Sequence, residues 1–324
     1  MKLEFLLEIG CEEIPTTFLH SMILKLEQGI TDMLRNNAIG IENSYHFCTP
    51  RRLVIHLKGL EEKQPARQET ITGPPYKIAF DEDGKPSQAT RGFAGKNNCD
   101  VSALTKINTA KGFYIGFKRS IAGNTCKSIL LKELNGIINK LELPKGMRWE
   151  SSRFQFVRPI RWILCLLEGE VLPIDIAGVK ASNFTFGHRI LCKNTKTIVN
   201  NFSEYNKWLR SNFVEINPEI RKQKIEDQLN MESKSIDGYL INDPELMDTV
   251  MNLVENPIVI TGSFDKAFLN LPSEILITVM REHQKYFSVE DKDGKLLPNF
   301  LAVADSEGQY CDQIRIGHER VLKA

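Results

Sequence analysis

Between Phe18 and Leu34 the apolar residues Leu19, Met22, Ile23, Leu26, Ile30, Met33 and Leu34 recur at helical spacing, with short β-rich runs on either side. A one-sided stripe of this kind marks an amphipathic helix that must bury its apolar face against something, and the neighbouring runs supply a sheet. Thr16 or Thr17 is expected to cap this helix. Residues 1–8 carry acidic side chains inside a short apolar stretch, and no small-residue cleavage site follows, so they read as a first strand and not a signal peptide. After Gly40, residues 45–48 and 53–57 are predicted to be neighbouring strands joined by Thr49-Pro50-Arg51-Arg52.

Further on, the polar stretch 61–75, with three prolines and one glycine, reads as a linker or long loop, and Asp83-Gly84 as a tight turn. A second helix is expected from about Asn124, with Leu130, Leu134, Ile137, Ile138 and Leu141 on one face, until Pro144 ends it. Residues 154–190 hold four apolar runs divided by Gly169, Pro173, Gly178 and Gly187, the pattern of a β-meander. Beyond them the composition shifts toward helix. Asn217-Pro218 and Asp243-Pro244 each place a cap residue before a proline at the first helical position, and the second opens a stripe of Leu246, Met247, Val250, Met251 and Val254. Another helix is predicted near Ser273, burying Ile275, Leu276, Val279 and Met280, and a turn at Asp293-Gly294 joins two final strands. The expected class is α+β and multi-domain, with mixed or antiparallel sheets and packed helices. A chain of 324 residues suits two or three units. The boundary is expected near Gly187, between an N-terminal α+β region with a β-meander (1–186) and a more helical α+β region (187–324).

Composition narrows the chemistry. No apolar run approaches a membrane span. The seven cysteines form no C-x-x-C pair, which suits thiols in a reducing cytosol and argues against zinc. A net charge of +1 gives no overall drive toward nucleic acid, so RNA contact would have to come from local clusters of Arg and Lys. The glycine-rich phosphate loops, the zinc-protease H-E-x-x-H and the nucleophile elbow G-x-S-x-G are all missing. Asp81 to Gly84 and Asp291 to Gly294 share a D-x-D-G pattern with calcium loops but lack the other ligands, so they read as hairpin turns. His283 follows Val279 and Met280 at helical spacing and reads as a packing or hydrogen-bonding histidine. Glu12 and Glu13, near Pro15, read as a helix start. The arginines carry more information. Arg51-Arg52, Met147-Arg148-Trp149, Arg153-Phe154, Arg158-Pro159-Ile160-Arg161-Trp162 and His188-Arg189 interleave guanidinium groups with aromatics. Two readings stand: a groove that meets phosphates and stacks bases, or arginines paired with buried carboxylates and packed on Trp149 and Trp162.

Several of these words resemble one family. Residues 6–15, Leu-Leu-Glu-Ile-Gly-Cys-Glu-Glu-Ile-Pro, are similar to the opening of the beta subunit of bacterial two-subunit glycyl-tRNA synthetases. Thr49-Pro50-Arg51-Arg52-Leu53, Gly73-Pro74-Pro75, Ala79-Phe80-Asp81, Gly92-Phe93-Ala94, Met147-Arg148-Trp149, residues 156–162, Gly187-His188-Arg189, residues 271–287 and residues 294–300 follow in that family's order. The departures are small: Cys11 replaces a threonine, and Glu150 replaces a glycine after Met-Arg-Trp. The resemblance implies a beta subunit that carries no catalytic residue and no metal. It would bind tRNA(Gly) and assemble with a catalytic alpha subunit in an α2β2 enzyme, where ATP and magnesium belong to the alpha subunit. It implies no cofactor in this chain, no membrane and no DNA partner, and a cytoplasmic place. The candidate RNA-facing residues are Arg51, Arg52, Arg148, Arg158, Arg161 and Arg189. An alternative is an assembly module with little RNA contact of its own. Family members are about twice as long, so the chain is expected to be the N-terminal half, without the helical HD-like and anticodon-binding domains that follow.

Overall fold

The computed structural model describes residues 2–81, 83–141, 146–148, 154–193 and 195–323. Strand β1 (Lys2–Cys11) leads into helix α1 (Thr16–Asn36), then strands β2 (Asn43–Thr49) and β3 (Arg52–Glu61). The chain next forms β4 (Arg67–Pro75), helix α2 (Gln88–Lys96), β5 (Thr105–Thr109) and β6 (Gly112–Ile121) before helix α3 (Cys126–Asn139). A run of short strands follows: β7 (Met147–Arg148), β8 (Gln155–Phe156), β9 (Ile160–Leu167), β10 (Glu170–Val171), β11 (Asp175–Ile176), β12 (Val179–Ser182), β13 (Phe184–Phe186) and β14 (Lys196–Ile198). The last part holds α4 (Phe202–Ser211), α5 (Pro218–Ser235), β15 (Tyr239–Leu240), α6 (Pro244–Val250), β16 (Pro257–Ser263), α7 (Ser273–Val279), β17 (Tyr286–Glu290), β18 (Leu296–Asp305) and α8 (Cys311–Lys323). The class is α+β, as expected.

These elements divide into a larger unit, residues 1–62 with 127–324, and a smaller one, residues 63–126. The boundary expected at Gly187 therefore falls inside the larger unit. There the main sheet runs β11-β12-β9-β1-β3-β2, with β10 on the end of β9. The anticipated meander over 154–190 is not formed: β9 pairs antiparallel with the distant β1, and β12 returns parallel to β9. Strand β1 lies centrally, which explains why its burial is nearly continuous and not alternating. On the face of Leu6 and Glu8, Val54, Leu164, Leu166, Tyr205, Leu209 and Ile216 form a core with α4. Helix α1 packs on β2 and β3 and buries all seven stripe residues. Its N-cap is Pro15 with no side-chain cap, so the expected threonine cap is not made.

A second antiparallel sheet of the larger unit runs β15-β17-β18-β16. Helices α5 and α6 cover it through Ile225, Leu229, Leu246, Met247 and Val250, packed on Val259, Phe287, Val289 and Leu301. Both proline-led starts form as read: the Asn217 side chain accepts from Glu219 N at 3.0 Å, and that of Asp243 from Leu246 N at 2.9 Å. The Asp291 to Gly294 segment is a hairpin turn, its Asp291 carboxylate accepting from the backbone of Asp293 and Lys295. Helix α7 departs from expectation. Met280 is buried and Leu276 partly so, but Ile275 and Val279 face solvent. His283 is exposed and not packed, because the helix loosens into a π-turn over Met280–Gln284.

In the smaller unit β4-β6-β5 form an antiparallel sheet on which Phe93 of α2 packs edge-on against Phe117 at 6.2 Å. The supposed linker thus contains β4, an edge strand. Helix α3 begins close to its expected start, and its expected stop at Pro144 lies outside the described residues.

Candidate functional site

Four segments of the resemblance meet at the C-terminal end of β1. Cys11 N donates to the Arg51 carbonyl at 2.9 Å, Glu12 N to that of Pro159 at 3.0 Å, and Ile14 N to that of Pro50 at 2.7 Å. Beneath this junction is a buried polar network centred on Arg52, which is 0% exposed. Its Nη1 donates to Glu8 at 2.7 Å, its Nε to Glu255 at 2.8 Å, and its Nη2 to the Gly187 carbonyl at 3.2 Å. Glu8 accepts as well from Trp162 Nε1 at 2.9 Å and from the Tyr205 hydroxyl at 3.1 Å, and Glu255 from Thr49 at 2.6 Å. Burial alone would lower the Arg52 pKa, but Glu255 and Glu8 outweigh it and hold the guanidinium charged. Burial, reinforced by Glu8, pushes the Tyr205 hydroxyl well up, so it stays a donor. Gly10 makes the network possible. A Cβ there would stand 1.9 Å from the Trp162 ring, so only glycine lets the indole lie across β1 and reach Glu8.

The loop after β13 closes the network from a third side. His188 Nδ1 accepts from the backbone of Ile190 and Leu191 at 3.3 and 3.2 Å, leaving Nε2 to donate to Asp305 at 3.0 Å. Asp305 in turn accepts from the backbone N–H groups of Glu255 and Asn256 at 2.8 and 2.7 Å. Gly187-His188-Arg189 thus ties the first sheet to the second. Nearby, the buried Arg221 caps three carbonyls, of Cys48, Glu215 and Met251, at 2.7 to 3.0 Å.

Above this layer lies an exposed one. Arg161 and Arg189, with side chains 60% and 50% exposed, share the Glu12 carboxylate at 2.7 and 3.1 Å. Burial works to raise Glu12, but the hydrogen bond and charge of Arg161, with Arg189 and Arg51, lower it overall. Arg158 donates to the Glu13 carbonyl at 2.9 Å and contacts the Met147 sulfur at 3.5 Å, which brings exposed Arg148 alongside. Arg51 lies between the layers, its guanidinium 5.7 Å from the Trp162 ring centroid, and burial lowers its pKa. Among the described residues its Nε is buried without a hydrogen-bond partner.

Of the six arginines read as RNA-facing, Arg148, Arg158, Arg161 and Arg189 therefore reach the surface, while Arg51 and Arg52 do not. Arg52 is a correction: each of its nitrogens is committed inside the protein, and no phosphate can reach it. Trp149 and Arg153 lie outside the described residues. Sequence reasoning missed Glu8, Glu255, Tyr205 and Asp305. The signal for Glu8 was present as an acid inside an otherwise apolar strand, since such a group must be paired to be buried. Among the described residues no group of three or more His, Cys, Asp or Glu is placed to hold a metal ion, and no helix is long and apolar enough to cross a membrane.

The family model for the glycyl-tRNA synthetase beta subunit matches residues 5–324. The chain belongs to this family. Glycine–tRNA ligase beta subunits of Listeria monocytogenes, Syntrophotalea carbinolica and Geobacter sulfurreducens are 39%, 38% and 38% identical to it over its full length. Each alignment takes in 47% of the relative, so the chain spans about half the length of the glycyl-tRNA synthetase beta subunits it matches.

Proposed function

We propose that the chain serves ATP-dependent attachment of glycine to tRNA(Gly) as a beta subunit without a reaction centre of its own, binding tRNA and assembling with a catalytic alpha subunit in an α2β2 enzyme. ATP and magnesium belong, in this reading, to the alpha subunit, and the setting is cytoplasmic. The observation that carries it is the exposed arginine layer. Glu12 holds Arg161 and Arg189 in one fork while leaving other N–H groups of each guanidinium turned to solvent, where phosphate oxygens are good acceptors. Aminoacyl transfer depends strongly on placement of the accepting end, so binding energy from a remote subunit can raise the rate without contact with the reacting atoms.

The test is tRNA(Gly) binding across a salt series with alanine at Arg148, Arg158, Arg161 and Arg189 in turn. Each lost phosphate contact flattens the logarithmic salt slope by roughly 0.7–0.9. Unchanged slopes in all four variants would sink the role of this edge. A second reading, an assembly module with little RNA contact, is favoured by the apolar side chains Leu271, Ile275 and Val279, exposed in and just before α7, since clustered exposed apolar groups mark protein contacts. In that case the four variants keep the wild-type slope, whereas Ile275→Asp blocks complex formation with the alpha subunit on a sizing column.

A further inference from the structure

The charge of the chain is not evenly spread. Residues 63–126 hold ten Lys and Arg against five Asp and Glu, a net of +5, which leaves −4 on the rest of a chain whose total is +1. Three of the five acids, Asp81, Glu82 and Asp83, are consecutive in the sequence. A fourth, Glu69, pairs with Arg119 at 3.5 Å. Within its sheet, Arg67, Lys106, Lys118 and Arg119 stand against the single acid Glu69.

At one end of that sheet the cations meet exposed rings. Lys106 of β5 places its ammonium 4.7 Å from the centroid of Tyr76 and 4.1 Å from that of Phe113 on β6. Tyr76 is 39% and Phe113 52% exposed, although both are large enough to be worth burying. Lys77 follows Tyr76 in the chain, and Lys111 stands in the tight turn before Phe113. Two part-exposed aromatic surfaces held by a lysine, within a unit of excess positive charge, suit stacking of unpaired bases with phosphates running past the lysines. Base-paired RNA would offer the same phosphates but no free base faces.

We propose that residues 63–126 form a binding surface for single-stranded RNA, with Tyr76 and Phe113 as the stacking platform and Lys106 as the cation between them. An unpaired stretch of the tRNA is the occupant. The proposal rests on the reading of this chain as a tRNA-binding subunit, but uses residues of the smaller unit and none of the arginine layer.

The experiment measures fluorescence anisotropy of the full chain with a labelled, unstructured RNA dodecamer, with an RNA duplex of matched charge and with tRNA(Gly). Tyr76→Ala/Phe113→Ala is expected to weaken dodecamer binding about tenfold or more and duplex binding by less than about twofold. Lys106→Ala is expected to flatten the dodecamer salt slope by about 0.7. Because all three side chains are exposed, thermal melts should match the wild type, and Lys106→Glu gives a second exposed-site variant that acts on charge alone. Equal loss on dodecamer and duplex would overturn the stacking assignment, as would wild-type dodecamer binding by the double variant, or preference for an acidic peptide over the dodecamer. Normal tRNA binding by the double variant, lost in Arg161→Ala/Arg189→Ala, would sink this surface and spare the proposed function. Dodecamer binding that needs Tyr76 and Phe113, in a chain that ignores tRNA, would do the reverse.

Discussion

Two layers of arginine lie at the end of β1, and what separates them is water. Arg52 gives all its nitrogens to protein partners under Trp162, whereas Arg161, two strands away in the same sheet, keeps one carboxylate partner and faces solvent. The same side chain is thus a structural strut in one place and a solvent-facing cation in the other. The difference is set by access and not by residue type. An arginine buried between two carboxylates cannot be removed cheaply, because the acids left behind have neither water nor a counter-charge.

The sharpest break between the layers should appear on truncation. Arg52→Ala is expected to lose about 3–5 kcal/mol of stability, against less than about 1 kcal/mol for Arg161→Ala, measured by urea unfolding. Comparable losses would mean that the layers are not different in kind. Next in size is Gly10→Ala, which drives a methyl group into the Trp162 ring and should cost about 1–3 kcal/mol with a changed tryptophan emission. An unaltered spectrum would show that the indole does not depend on that glycine. The smallest effect belongs to the exposed layer. The folded Glu12 pKa lies below its ordinary 4.5, so its stabilisation is complete above that value and is lost as the pH falls through the folded one. The wild type should exceed Glu12→Gln by less than about 1 kcal/mol near neutrality, given solvent screening, with the gap closing in acid. A gap that widens in acid would contradict the pairing.

Local chemistry made part of this legible in advance. The stripe of α1, the proline-led starts of α5 and α6 and the turn at Gly294 depend on neighbours within a few residues, and the sequence displays those neighbours. Strand β4 was hidden because it is an edge strand: its side chains are mostly exposed, and Pro74 and Pro75 are tolerated at its end. Arg51 and Arg52 could not be told apart from Arg161 because their burial is decided by Glu8 and Glu255, far away in the chain. The outward face of α7 defeats periodicity for another reason. A helix stripe states which residues share a face, not whether anything covers it.

The distance from Arg52 to Glu255 also has a meaning in time. The two are 203 residues apart. At roughly 5–20 residues per second of synthesis, about 10–40 s pass between the appearance of the guanidinium and that of its carboxylate. Glu8 is made before Arg52 and Glu255 well after, so a nascent chain can align β1 with β3 and pair Arg52 with Glu8 early, while Arg52 Nε and the Thr49 hydroxyl still wait for their acceptor. Completion of the buried network beside β1 therefore waits on a residue made 203 positions after the arginine at its centre.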